Sequence, residues 1–334
     1  YEVTSDVLTL RGFVEDESDI VVFVINGKEF QLSDEYSFET QIYVPIGESQ
    51  VTITAVDEWE NIKTETIKIT RSYDKNNYLK AANEGLNPTA ILSKKNKNRY
   101  ALIFGVNRYE TLTNLPFAEN DANFFYDYAV NTLGIPQENI VRVVNPELKD
   151  MYIATNQIQK MINEQSDLFV YYAGHGLNYQ SDNRLLASDF DVSVIQQTSL
   201  LQSEFMNMIS KANPNKVALI FDTCFSGVNR EGKQLVEARF VSIAQSQINI
   251  PNNFSIISSS GDLEWSRDHP DLQHGLFTYH FLKGLEKEAD ANNDKQITLN
   301  ELFSYTQKNV QQDSNFQQNP EISLNSDYLL VDWN

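Results

Sequence analysis

One cysteine, Cys224, is all that 334 residues contain, which excludes an internal disulfide and any metal site built on several thiolates. Positive charge is also scarce: 26 lysines and arginines face 46 aspartates and glutamates, for a formal net charge of -20. Such a surface repels phosphate backbones and anionic headgroups, so nucleic acid is not expected as a partner and basic peptides or cations are favoured. Long apolar runs are missing, and nothing reads as a membrane-inserting segment. At 41% hydrophobic and 22% charged residues, the composition is that of a folded globular chain rather than a disordered one. No signal peptide is visible, and "YEVTSDVLTLRGFV" opens almost inside a strand, as expected of a chain lacking its natural N-terminus.

What is present divides the chain into three stretches. Over residues 1–72, short alternating runs such as "QVTITAV" are separated by polar turns, and Asn26-Gly27 is a two-residue hairpin signal. This pattern predicts a small all-β sandwich, and it resembles the bacterial immunoglobulin-like modules of secreted and envelope proteins. The resemblance implies a spacer domain and a secreted, periplasmic or cell-surface location in a bacterium. Residues 73–98 lose the alternation, end in the basic run "KKNKNR", and read as a linker. From residue 99 to 334, apolar runs alternate with amphipathic helical stretches. That order predicts an α/β domain with a mostly parallel sheet flanked by helices and with function at the C-terminal edge of its strands.

Cys224 stands at such an edge, directly after the apolar run "KVALIF" and before Ser226 and Gly227. Position alone leaves two readings, inert packing or a nucleophile, because free cysteine is among the most buried residue types. Histidine decides between them. Of four histidines, His175 alone occupies an equivalent place, after the run "DLFVYYA" and between Gly174 and Gly176. Adjacent parallel strands ending in these two residues would bring a base to a thiol, the minimal unit for activating a cysteine nucleophile. The remaining His269, His274 and His280 are expected to be polar surface residues.

"ALIFGVNRYETLTNLPFAENDA", "YYAGHG" and "DTCFSG", in this order and with 49 positions from His175 to Cys224, resemble the caspase-like cysteine peptidases. Residues 99–334 look most like the metacaspase and bacterial orthocaspase branch. The resemblance implies an endopeptidase in which Cys224 attacks the scissile carbonyl and His175 moves the proton, without a cofactor for the chemistry. The Gly176 and Cys224 backbone N–H groups would form the oxyanion hole. It also implies that Asp121, in "AENDA", and Asp222 line the pocket for the residue before the cut. Two carboxylates there select arginine or lysine. A strand-end aspartate capping local backbone is the competing reading for Asp222. Aspartate-directed specificity would instead need an arginine in that pocket, with Arg184 and Arg267 the available ones. Ser259, Ser260 and Trp265, in "SSSGDLEW", match the segment flanking the substrate groove.

Two regulatory features are expected. "DANNDKQITLNE" places Asp290, Asn292, Asp294 and Glu301 at the side-chain positions of a twelve-residue calcium loop, with Gln296 offering its carbonyl. Lys295 stands where glycine usually makes the turn. Family members often need calcium through another acidic cluster, for which Asp189, Asp191 and Glu231 are the loose match. The polar stretch after Cys224 resembles a maturation loop, where Arg230, Lys233 and Arg239 supply bonds for self-cleavage. Two other functions fit the same sequence, a non-catalytic, calcium-stabilised surface or adhesion module and a cysteine acyl-transferase.

Overall fold

The computed structural model describes all residues except 4–6, 27, 34, 45–46, 72–84, 116, 181, 226–249, 262–263, 265, 270–272 and 324–326. The chain divides into two compact units, Tyr1–Asn83 and Glu84–Asn334.

The described residues of the first unit are all β: β1 (Glu2–Val3), β2 (Val7–Phe13), β3 (Ile20–Ile25), β4 (Lys28–Glu29), β5 (Ser37–Tyr43), β6 (Gly47–Asp57) and β7 (Ile62–Arg71). Five strands form a sheet in the order β1-β7-β6-β3-β4, while β2 and β5 pair separately. The hairpin signal is met at Asn26, whose φ of 51° is the left-handed backbone that such a turn requires, between the paired Ile25 and Lys28. Alternation buries one side of each long strand, and Phe23, Ile25, Val44, Val51 and Ile69 form the core.

The second unit begins before the point expected from the sequence. Gly85–Asn98, read as linker, packs onto it: Leu86 and Ile91 are buried in its core, and Ser93 and Asn96 donate backbone N–H bonds to Asn131 and Gly134. Side chains add to these bonds, with Lys95 Nζ donating to the Val130 carbonyl at 2.6 Å and Lys283 Nζ to the Gly85 carbonyl at 3.3 Å.

Its elements are β8 (Arg99–Gly105), α1 (Ala118–Asn131), β9 (Ile140–Val144), α2 (Leu148–Met161), β10 (Asp167–Ala173), β11 (Gly176–Tyr179), β12 (Asp182–Leu186) and β13 (Ser199–Leu201). There follow α3 (Gln202–Ser210), β14 (Lys216–Asp222), β15 (Phe254–Ser258), β16 (Asp268–His269), β17 (His274–Gly275), α4 (Leu276–Lys283), β18 (Gln296–Thr298), α5 (Leu299–Asp313), β19 (Glu321–Ser323) and β20 (Leu329–Asp332).

The central sheet runs β19-β15-β14-β10-β8-β9. All pairs are parallel except β19 against β15, so the sheet is mixed through one edge strand. Strands β8, β10 and β14 each carry five or six consecutive buried residues, as strands covered by helices on both faces must. Helix α1 lies directly on β8: a Cβ added to Gly105 would come within 2.8 Å of the Ala118 carbonyl and 2.7 Å of the Ala122 methyl. Phe125 of α1 stacks on Tyr171 of β10 with centroids 4.3 Å apart. Strands β9 and β10 flank β8 on opposite sides, so the connections diverge after β8 and leave a crevice at the C-terminal ends of β8 and β10. Among the described residues no helix is long and apolar enough to cross a membrane.

Candidate active site

Strands β10 and β14 pair in register from Asp167↔Lys216 to Ala173↔Asp222, so His175 and Cys224 sit at matching positions just beyond the last pair. The two segments stay together past the sheet. Gly174 donates its N–H to the Asp222 carbonyl at 3.3 Å, and Asn178 donates to the Phe225 carbonyl at 2.9 Å. A Cβ on Gly176 would lie 2.6 Å from Thr223 Oγ1 and 3.0 Å from the Cys224 carbonyl, so glycine is what allows this approach.

His175 is buried and held on three sides. Its backbone N–H donates to the Tyr109 hydroxyl at 2.7 Å, and the Tyr109 ring lies beside the imidazole at 4.7 Å. Tyr172 donates its hydroxyl to the His175 carbonyl at 2.6 Å. Burial, with Tyr109 adding to it, pushes the Tyr172 phenol well above its ordinary range and keeps it a donor. His175 Nε2 lies 2.8 Å from the Thr113 carbonyl. A carbonyl only accepts, so Nε2 carries the hydrogen and Nδ1 carries the lone pair of the neutral ring. Tyr109 and Thr113 both belong to the β8–α1 connection that lines the crevice. Sequence reasoning passed over them, and "NRYETLT" carries no signal of chemistry by itself.

Cys224 is also buried, and its Sγ accepts the Ser266 N–H. Ser259 differs from its expected role as a peptide contact. Fully buried, its hydroxyl donates to the Thr223 carbonyl at 3.1 Å and also meets the Ser266 hydroxyl, so it braces the Cys224 turn from within. Ser260 is buried as well, with a hydroxyl that meets no hydrogen-bond partner among the described residues. Gln318 ties the same segment at both ends, donating from Nε2 to the Ser259 carbonyl and accepting the Arg267 N–H, each at 2.9 Å.

The two candidate pocket acids come from different elements and meet the same helix end. Asp121, in the first turn of α1, is fully buried; its Oδ1 lies 2.7 Å from His274 Nδ1, and both oxygens accept the Gly275 N–H at 3.3 and 3.1 Å. Asp222, the last residue of β14, is also fully buried and accepts the Thr278 hydroxyl at 2.6 Å. Gly275 is the N-cap of α4 and Thr278 lies in its first turn, so both carboxylates are gathered at the end of a helix that attracts negative charge. His274 and His280, expected at the surface, are buried because each pairs with a carboxylate: His274 with Asp121, and His280 Nε2 with Asp313 at 2.8 Å. Arg184 is held elsewhere, bonded to Ser199 at 3.2 Å and lying over the Tyr179 ring, while the Arg267 guanidinium bonds Gln317.

The expected calcium loop turns its carboxylates inward. Asp290 accepts the N–H groups of Asp294 and Lys295, Asp294 accepts that of Gln296, and Glu301 forms a capping box with Thr298 at the start of α5. The Asn292 side chain likewise accepts the Asp294 N–H. Lys295 makes the turn at a φ of 64°. Asp189 and Asp191 are likewise engaged, by the first N–H of α2 and by Ser193. Among the described residues no three His, Cys, Asp or Glu side chains gather as a metal-ligating group. Trp265, Glu231, Arg230, Lys233 and Arg239 lie outside the described residues.

A mixed, mostly parallel sheet that delivers an imidazole and a thiol to one rim defines an α/β protein equipped for cysteine-dependent chemistry. Residues 98–328 match the family described as caspase domain, and the chain belongs to that family of caspase-like cysteine peptidases. A paracaspase of Dictyostelium discoideum is 23% identical over 207 residues, which cover 61% of this chain and 48% of that protein. The chain therefore spans about half the length of the curated relative it matches. Among solved structures, pro-sf-caspase-1 aligns with a TM-score of 0.49 at 15% identity, over 71% of this chain and 91% of that one. The Drosophila initiator caspase Dronc aligns with a TM-score of 0.45 at 11% identity, over 72% and 86% of the two chains.

Proposed function

We propose that this chain is a cysteine endopeptidase that uses Cys224 and His175 as a dyad and cleaves after arginine or lysine. The observation that carries the reading is the β10–β14 register, which sets the base and the nucleophile at equal distance past the last paired residues. In the first step the Cys224 thiol gives its proton to His175 Nδ1, and the sulfur attacks the scissile carbonyl carbon. The Gly176 and Cys224 N–H groups are assigned to the oxyanion of the tetrahedral intermediate. Collapse breaks the C–N bond, and the imidazolium returns the proton to the departing amine. Water then attacks the thioester with His175 again as base, freeing the acid and the thiol.

The Thr113 carbonyl supports this assignment by holding the hydrogen on Nε2, which leaves Nδ1 as the basic atom, and by orienting the ring through both charge states. Asp121 and Asp222 are assigned to the side chain before the cut. Their convergence on one helix turn favours a cationic partner, and the engagement of Arg184 and Arg267 elsewhere disfavours an acidic one. No step is routed through a metal.

Purified protein, set beside Cys224→Ala, is to be assayed on fluorogenic peptides ending in Arg, Lys or Asp. The expected result is turnover of the Arg- and Lys-ended peptides only, lost in Cys224→Ala by about three orders of magnitude or more. Turnover of Asp-ended peptides alone would overturn the specificity, and equal rates in the variant would overturn the nucleophile. Intact masses of the two preparations test self-cleavage at Arg230, Lys233 or Arg239, with fragments expected from the wild type only.

A further inference from the structure

His274 reaches Asp121 from 153 positions further along the chain and is buried with it. The imidazole is fixed from several sides. Phe124 of α1 meets its ring edge-on at 4.7 Å, and Asn120 anchors the preceding turn by donating to the Gln273 carbonyl at 2.8 Å. In the β16–β17 ladder, His274 is opposite His269 and Gly275 opposite Asp268. Asp121 on α1 faces the ring directly, and Asp222 attaches to the following helix α4 through Thr278.

We propose that His274 is the positioning residue of the pocket for basic side chains: it fixes the Asp121 carboxylate in the orientation that receives a guanidinium or ammonium. The inference rests on the proposed cleavage after arginine or lysine. A carboxylate only accepts, so Nδ1 carries the hydrogen that it turns to Asp121, and this bond sets which way the buried carboxylate faces. Loss of the donor is expected to weaken the hold on a basic residue without touching the reacting atoms.

Binding is separated from catalysis in the Cys224→Ala background, where calorimetry reads the affinity of an Arg-ended peptide at neutral pH. There His274→Leu, which removes the donor, should raise Kd about tenfold. In His274→Asn the amide nitrogen takes the place of Nδ1 and still donates to Asp121, so Kd should stay within about threefold of the parent. In the otherwise wild-type enzyme, His274→Leu should raise KM for the Arg-ended peptide about tenfold at neutral pH. Its kcat and the iodoacetamide alkylation rate of Cys224 should stay unchanged. An unchanged Kd in His274→Leu, or an equal loss of affinity in His274→Asn, would overturn the proposal, as would a fall in kcat at constant KM in His274→Leu. Wild-type turnover of Asp-ended peptides alone removes the cleavage reading itself, and that assay precedes any substitution at His274.

Discussion

Tyr109 touches His175 twice, through a hydroxyl on its backbone N–H and a ring beside the imidazole. Tyr109→Phe keeps the ring and deletes the acceptor, leaving a buried N–H unpaired at a cost of about 1–3 kcal/mol. The expected result is a kcat lowered about tenfold with KM unchanged, read by steady-state kinetics on an Arg-ended peptide. At this scale the sequence was legible where chemistry coincides with a local pattern. His175 and Cys224 each end an apolar run and stand among small residues, so their places could be read directly. Tyr109, Thr113 and His274 could not, because each takes its role from a partner 62 to 153 positions away. The same blindness misplaced His274 and His280 at the surface: polarity suggests exposure, and only a distant carboxylate makes burial tolerable.

Strand and helix order were legible because seven-residue apolar runs alternate with amphipathic stretches, and that periodicity survives folding. Gly85–Asn98 was not, since its attachment rests on two isolated apolar residues and on hydrogen bonds to partners far along the chain, which local composition does not reveal. The loop over 290–301 was legible as a loop, yet its carboxylates serve its own amides and the start of α5. At the turn between β10 and β11, close packing gives a direct test. Gly176→Ala inserts a methyl group against Thr223, Phe225 and the Cys224 carbonyl. Such overpacking costs about 1–3 kcal/mol, and relief requires the Cys224 segment to move. Thermal unfolding should therefore show a lower midpoint, and turnover should fall by more than the loss of folded protein accounts for.

For the whole molecule, burial of phenols bears on how stability is expected to change in alkali. It is the leading cause that raises the Tyr126 phenol to about 12 and lifts Tyr172 and Tyr328 above the ordinary value of 10.0. A phenol with a raised pKa in the folded state contributes stability that is complete below its unfolded value and declines as pH climbs through the folded one. Denaturant unfolding should accordingly be independent of these groups up to about pH 10 and weaken from there to about pH 12. Tyr126→Phe should make that decline shallower.

The β10–β14 ladder also ties the proposed centre to the integrity of the whole sheet. Its strands are separated in the chain by the β11–β13 sheet and α3, so nothing local holds their ends together. Sulfur and imidazole share a rim only while that long-range pairing is intact, and the proposed centre is lost with the sheet rather than before it.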